Sequence, residues 1–209
     1  MGDSDASWPD RSAPLRAFLA VPVGPPAHDP LAARIEALRQ RVAGVRWVDT
    51  ATTHVTLHFF AELPAEQVGA VVAAVRPIAA RQAPFTVQPD RFGSFPGGPR
   101  ARVLWVGLDD QADALAGLAA RVQAAVGGCG FDVDPRPFQP HVTLGRPGPR
   151  FDPQAWRREV AEPLDLPPFT ASEVILYESR NGHHVRERFL FGGLAAGWAA
   201  QRPGRGSSP

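Results

Sequence analysis

Thr53-His54-Val55-Thr56-Leu57 and Pro140-His141-Val142-Thr143-Leu144 share the tetrapeptide His-Val-Thr-Leu, and its two copies start 87 residues apart in a chain of 209. Repeats every 20–50 residues or so mean stacked solenoids. One further copy at a much longer spacing points to two related halves. Each copy has strand character, and side chains on a strand alternate between faces. His54 and Thr56 therefore project together, while Val55 and Leu57 point the other way. The same alternation sets His141 and Thr143 against Val142 and Leu144. Each half presents an imidazole and a hydroxyl roughly 6.6–6.8 Å apart along the strand, with an apolar pair behind them to anchor the strand to a helix layer.

Two such pairs suit phosphate chemistry. Histidine titrates near pH 6.5, so one ring can be neutral and the other protonated under the same conditions. The neutral ring takes a proton from water and the protonated ring gives one to a leaving oxygen. Together they supply both halves of an in-line displacement. The threonine hydroxyls can hold the non-bridging oxygens.

Around these motifs the pattern alternates between strands and helices. Leu15 to Val23 reads as a strand. A helix opens at Asp29-Pro30, with Asp29 as N-cap, and stops at Gly44. Trp47 to Phe60 holds the strand that carries the first motif, and Pro64 opens a second helix. Strands at Phe85–Phe95 and Arg102–Leu108 flank Pro96-Gly97-Gly98-Pro99. A helix is expected over Asp109–Val126, a strand over Phe138–Arg146 and a short helix over Phe151–Val160. Val174–Arg180 and His183–Phe191 flank Asn181-Gly182, a type I′ hairpin signal. The mixture implies an α+β fold with largely antiparallel sheets. Residues 1–13 and 198–209 read as disordered tails around one domain at 14–197.

Composition narrows the functional classes. The single Cys129 excludes an intramolecular disulfide framework and a cysteine zinc site. No apolar run approaches the roughly 20 residues of a membrane span, and the polar, acidic start does not read as a signal peptide. A cytoplasmic protein is expected. Net charge is +1, so any contact with nucleic acid must be local. All 22 basic residues are arginine, a usage read as codon bias in a GC-rich genome.

The chain resembles the two-histidine (2H) phosphoesterases, and within them the RNA 2′,3′-cyclic phosphodiesterases, also called 2′-5′ RNA ligases. His54–Leu57 and His141–Leu144 match the paired His-X-Thr-X signatures of that family. Arg16-Ala17-Phe18-Leu19-Ala20, Arg46-Trp47-Val48, Phe92-Gly93-Ser94-Phe95-Pro96, Phe138-Gln139-Pro140 and Leu176-Tyr177-Glu178-Ser179 also match. The last hairpin, Asn181-Gly182-His183-His184-Val185, matches loosely. The resemblance implies a bilobal fold, two pseudo-symmetric antiparallel sheets flanked by helices around a central cleft. It implies hydrolysis of RNA 2′,3′-cyclic phosphate ends to 2′-phosphomonoesters without metal or cofactor, with ATP-independent 2′-5′ ligation as the reverse. His54 would be the acid and His141 the base; the residues alone leave that order open.

Further substrate-binding candidates are Thr56 and Thr143, then Arg146 after the second motif, which strict alternation places on the face of Leu144. Arg16 is a candidate for phosphate and Phe18 for a base. Alternation puts His58 beside His54 and Thr56. His28, His183 and His184 are expected on exposed loops, and Tyr177 and the tryptophans in the core. The expected partner is an RNA or oligonucleotide end, with no membrane, and the expected state is a monomer. Two other functions fit the same motifs. One is an RNA-end binding module without turnover. The other is a sister phosphodiesterase for 2′-5′ oligonucleotides or a small cyclic nucleotide.

Overall fold

The computed structural model describes residues 14–109, 113–161 and 163–192. The expected tails at 1–13 and 198–209 lie outside the described residues. Among the described residues, nine strands carry the fold: β1 (Leu15–Pro22), β2 (Val45–Trp47), β3 (His54–Leu63), β4 (Phe85–Phe95), β5 (Val103–Asp109), β6 (His141–Pro147), β7 (Phe169–Ala171), β8 (Glu173–Ser179) and β9 (His183–Leu190). Four α-helices accompany them there: α1 (His28–Arg41), α2 (Val68–Arg81), α3 (Ala114–Gly128) and α4 (Pro153–Glu159). The α+β class and the antiparallel pairing are as the sequence implies.

The strand order is β7-β4-β5-β6-β3-β1-β8-β9, with β2 added against β6. The two motif strands, β3 and β6, are neighbours at the centre, each with three further strands outside it. The expectation of two separate sheets is corrected here. The halves are joined into one curled sheet because Val55 pairs with Val142 across the middle. Among the described residues, that is the sole ladder pair between the two strands.

One face of the sheet is apolar and carries the helices. Val55, Leu57, Val142 and Leu144 are buried there with Leu31, Ile35 and Leu38 of α1, Val71 and Val75 of α2, and Leu115, Leu118 and Val122 of α3. Burial of each such side chain favours folding by about 1.5–3 kcal/mol. The motifs' hydrophobic residues thus fix which way their histidines face.

Local differences from the sequence reading have local causes. Asp29 is not an N-cap: α1 begins one residue earlier, at His28, and Asp29 sits in its first turn, within 2.7 Å of His28 Nδ1. Within Trp47–Phe60 the expected strand begins at His54, after a 3₁₀ turn at Thr50–Thr52. Asp49 Oδ1 caps that turn by accepting from the Ala51 N–H at 3.0 Å. Such local side-chain bonds compete with strand pairing. Helix α3 starts at Ala114 rather than Asp109.

Candidate active site

The open face of the sheet holds both motifs. β3 and β6 run antiparallel with Val55 opposite Val142, which brings His54 and Thr56 of one strand beside His141 and Thr143 of the other. Where such strands run together, diagonal neighbours lie about 7–8 Å apart. The two imidazoles are close enough for a charge on His141 to act on His54.

Both imidazoles are held in the same way. His54 Nδ1 lies 2.6 Å from the Thr52 carbonyl oxygen and His141 Nδ1 lies 2.7 Å from the Gln139 carbonyl oxygen. A carbonyl only accepts, so each Nδ1 carries its proton and each neutral ring keeps Nε2 as its free lone pair. Both rings titrate below the ordinary histidine range. Burial pushes His54 down to about 4, against the raising effect of its bond to Thr52, with small further pushes from His183 and His141. Burial also lowers His141, opposed by the bond to Gln139 and reinforced by the nearby charge of Arg146.

Each motif strand contains a bulge immediately after its threonine. On β3, Ala20 faces Thr56 and Leu19 faces His58, so Leu57 is extra. On β6, Trp105 faces Thr143 and Leu104 faces Gly145, so Leu144 is extra. A bulge of this kind inverts the alternation beyond it. His58 is consequently turned to the helix-covered face, buried and edge-on to Phe60 at 4.5 Å, and burial lowers its pKa. The expectation that it shares the face of His54 is corrected. Phe59, which sequence reasoning missed, takes the cleft face instead, paired with Phe18 and 46% exposed. On β6 the same inversion sends Gly145 inward and turns the exposed Arg146 to the cleft face, not the face of Leu144. Phe59 and Arg146 occupy equivalent positions in the two halves.

The surroundings of the two histidines differ. His54 stacks on Phe18 at 4.6 Å, and Phe18 lies against Tyr177 at 5.1 Å. Phe18 is 4% exposed, so it supports the imidazole and offers little surface to a base. Arg16 is exposed at the rim, its guanidinium 5.5 Å from the centre of the Phe59 ring. His183 is not on an exposed loop. It is partly buried, edge-on to His54 at 5.3 Å and to Phe18 at 4.8 Å, and its Nδ1 is 3.2 Å from Thr52 Oγ1. The legible signal was Asn181-Gly182. Both residues have positive φ, and this tight turn makes His183 the first residue of β9. His28 is also held, by Asp29 and the Thr50 carbonyl, whereas His184 is exposed.

Around His141 the neighbours are Phe95, edge-on at 5.1 Å, and Trp105 at 6.4 Å. Trp105 is only partly buried and stands on the cleft face, unlike Trp156, which lies in the core as expected. Among the described residues, no three His, Cys, Asp or Glu side chains are grouped so as to hold a metal ion. No described helix is long and apolar enough to cross a membrane.

Relatives share this arrangement of strands. The chain is similar to proteins named RNA 2′,3′-cyclic phosphodiesterase. The one from Geobacillus stearothermophilus is 32% identical over 136 residues, 64% of this chain but 42% of that protein. That from Thermotoga maritima is 27% identical over 154 residues, 74% of this chain and 80% of its own. That from Escherichia coli is 34% identical over 134 residues, 60% and 65% of the two chains. Among solved structures, a Thermus thermophilus protein superposes with a TM-score of 0.70 at 24% identity, over 86% of this chain and 99% of that one. Apo LigT from E. coli superposes with a TM-score of 0.64 at 25% identity and the same coverage. A LigT structure complexed with 3′-AMP superposes with a TM-score of 0.64 at 24% identity, over 85% of this chain and 98% of that one. A family model, the 2′-5′ RNA ligase superfamily, matches residues 27–183 and so takes in both His-Val-Thr-Leu segments. With most of its length and both motifs inside that match, this chain belongs to the 2′-5′ RNA ligase superfamily.

Proposed function

We propose that the protein hydrolyses RNA 2′,3′-cyclic phosphate ends to 2′-phosphomonoesters by paired histidine acid and base catalysis, with no metal in the chemical step. The observation that carries this reading is the register that sets the two histidines on one face with their Nε2 atoms free. Water attacks phosphorus as His141 Nε2 takes its proton, and the P–O3′ bond breaks as His54 Nε2–H protonates the departing oxygen. Thr56, Thr143 and Arg146 hold the non-bridging oxygens, and Arg16 meets the chain at the rim. With a 5′-hydroxyl end in place of water as the nucleophile, the same transfers join that end to phosphorus through a 2′-5′ bond: His141 Nε2 takes the hydroxyl proton, the P–O3′ bond breaks and His54 Nε2–H protonates O3′, without ATP.

The order of roles is supported differently at each histidine. Burial and Arg146 keep His141 neutral, as a base must be. His54, with a pKa of about 4 in the free protein, becomes a proton donor once the anionic phosphate sits beside it and favours the charged ring. Phosphorus NMR of a 2′,3′-cyclic mononucleotide incubated in excess chelator tests the reaction. The ring opens to the 2′-monoester alone; an unopened ring, or a 3′-monoester, refutes the reading. A substrate with sulfur in place of O3′ tests the roles, because thiolate leaves without an acid. It rescues His54→Ala and not His141→Ala; rescue of His141→Ala instead reverses the assignment.

A further inference from the structure

The carbonyl that holds the His54 ring belongs to Thr52, the last residue of the 3₁₀ turn Thr50–Thr52. We propose that His183 is a positioning residue for His54: it clamps that turn from outside and so fixes the direction of the imidazole. Its effect on rate rests on the phosphodiesterase reading above, whereas the clamp rests on contacts.

The two motifs need different supports because the residues before their histidines differ. His141 is anchored by Gln139, and Pro140 stands between them. A proline ring fixes its own φ and keeps the residue before it out of helical backbone. The Gln139 carbonyl is therefore aimed by covalent geometry. In the first motif Thr53 stands in the place of the proline, and Thr52 belongs to a single short turn. One turn of 3₁₀ helix has poor hydrogen-bond geometry and holds itself weakly.

Side chains from outside the turn hold it instead. Asp49 caps its start through the Ala51 N–H. His28, the first residue of α1, donates from Nε2 to the Thr50 carbonyl at 3.1 Å. His183, the first residue of β9, reaches the other end, with Nδ1 3.2 Å from Thr52 Oγ1. The same hydroxyl lies 3.4 Å from the Asp49 carbonyl oxygen. It has one proton to give, so donating to that carbonyl leaves a lone pair to accept from His183 Nδ1–H. Thr52 is then held on its side chain by His183 while its carbonyl holds His54. The His183 ring also stands edge-on to His54 at 5.3 Å, beside the face that stacks on Phe18. Among the described residues, no side chain bonds Gln139 in this way. Burial lowers the pKa of His183; Asp49 opposes that and His184 adds to it. Tyr177 faces both rings, 6.2 Å from His183 and 5.9 Å from His54, and His141 acts on His54 from the other strand.

The test is a double-mutant cycle on a 2′,3′-cyclic nucleotide. His183→Ala lowers kcat about 10- to 100-fold with KM within about twofold, a 1 Å misplacement of a reacting group costing roughly the upper figure. On a His54→Ala background the same substitution changes nothing further, because the ring it positions is gone. Thr52→Val, which removes the hydroxyl, keeps the carbonyl and leaves β9 untouched, gives a loss of the same kind that does not add to that of His183→Ala. Equal losses from His183→Ala with and without His54, or full activity in either single variant, overturn the proposal. Ring-nitrogen NMR of His54 reads the clamp without turnover. In the wild type Nδ1 carries the proton and the ring titrates at about 4. In His183→Ala the Nε2–H tautomer appears and the titration moves up, because a covering ring and its charge are gone. His183→Gln, which can still bond Thr52 Oγ1, restores the Nδ1–H tautomer. Failure of the wild type to open a cyclic phosphate refutes the phosphodiesterase reading. The tautomer then decides the clamp by itself: a change in His183→Ala supports it, and an unchanged ring overturns it.

Discussion

His54 is held neutral by its own burial, and this links the site to stability. Its pKa is about 4 in the folded chain against 6.5 for an unperturbed ring. A histidine with a lowered folded pKa contributes fully above pH 6.5, and its contribution is lost as pH falls from 6.5 to 4, because the unfolded chain binds the proton first. A shift of that size corresponds to stability on the order of 3 kcal/mol. His58, His141 and His183 are lowered by burial too and steepen the fall. Melting temperature should therefore drop between pH 6.5 and 4, and His54→Asn should make the drop shallower. An unchanged slope in that variant contradicts the assignment. His58 provides a second check. It is paired with Leu19 on the helix-covered face, so His58→Leu should keep kcat/KM within about twofold while removing part of the acid sensitivity. A large loss of turnover would place His58 in the cleft after all. At this scale the shared face of each motif's histidine and threonine was legible, because alternation over four residues is purely local. His58, Phe59 and Arg146 were not, because each lies beyond a bulge.

Bulges after Thr56 and Thr143 are the elements that give the cleft its charge and its aromatic rim. No residue in His-Val-Thr-Leu announces them; they arise from pairing with β1 and β5, which a single strand's sequence does not display. Their consequence is measurable at Arg146. Turned to the cleft face, its guanidinium can bind a phosphate oxygen with a charge-assisted hydrogen bond worth about 1.5–3 kcal/mol. Arg146→Ala should then lower kcat/KM for a 2′,3′-cyclic nucleotide by roughly 10- to 150-fold, with Arg146→Lys recovering part of the loss. Full activity in Arg146→Ala would return the residue to solvent. The final hairpin shows the opposite balance of local and distant information. Asn181-Gly182 announced the turn, and the structure confirms positive φ at both residues. Only the pairing of β8 with β1 brings His183 back to His54.

Two halves meet over one residue pair, and each half supplies one histidine and one threonine. The repeat revealed the halves, but their assembly is non-local. The strands around His54 are β1, β3, β8 and β9, from residues 15–22, 54–63 and 173–190, while those around His141 are β4 to β7, from 85–147 and 169–171, with β2 at 45–47 added to them. The chain thus leaves the first half, builds the second and returns. That return, and the fusion of both halves into one sheet through Val55 and Val142, could not be read from local periodicity. It is also the reason neither half has a complete site. General acid–base catalysis contributes about 10²–10⁴-fold for each group. The pH dependence of kcat/KM on a 2′,3′-cyclic nucleotide, for the wild type, His54→Ala and His141→Ala, tests this most directly. The expected result is a bell with two ionisations in the wild type, and in each variant a rate lower by that factor with one limb of the bell missing. An intact bell, or a wild-type rate, in either variant would contradict it.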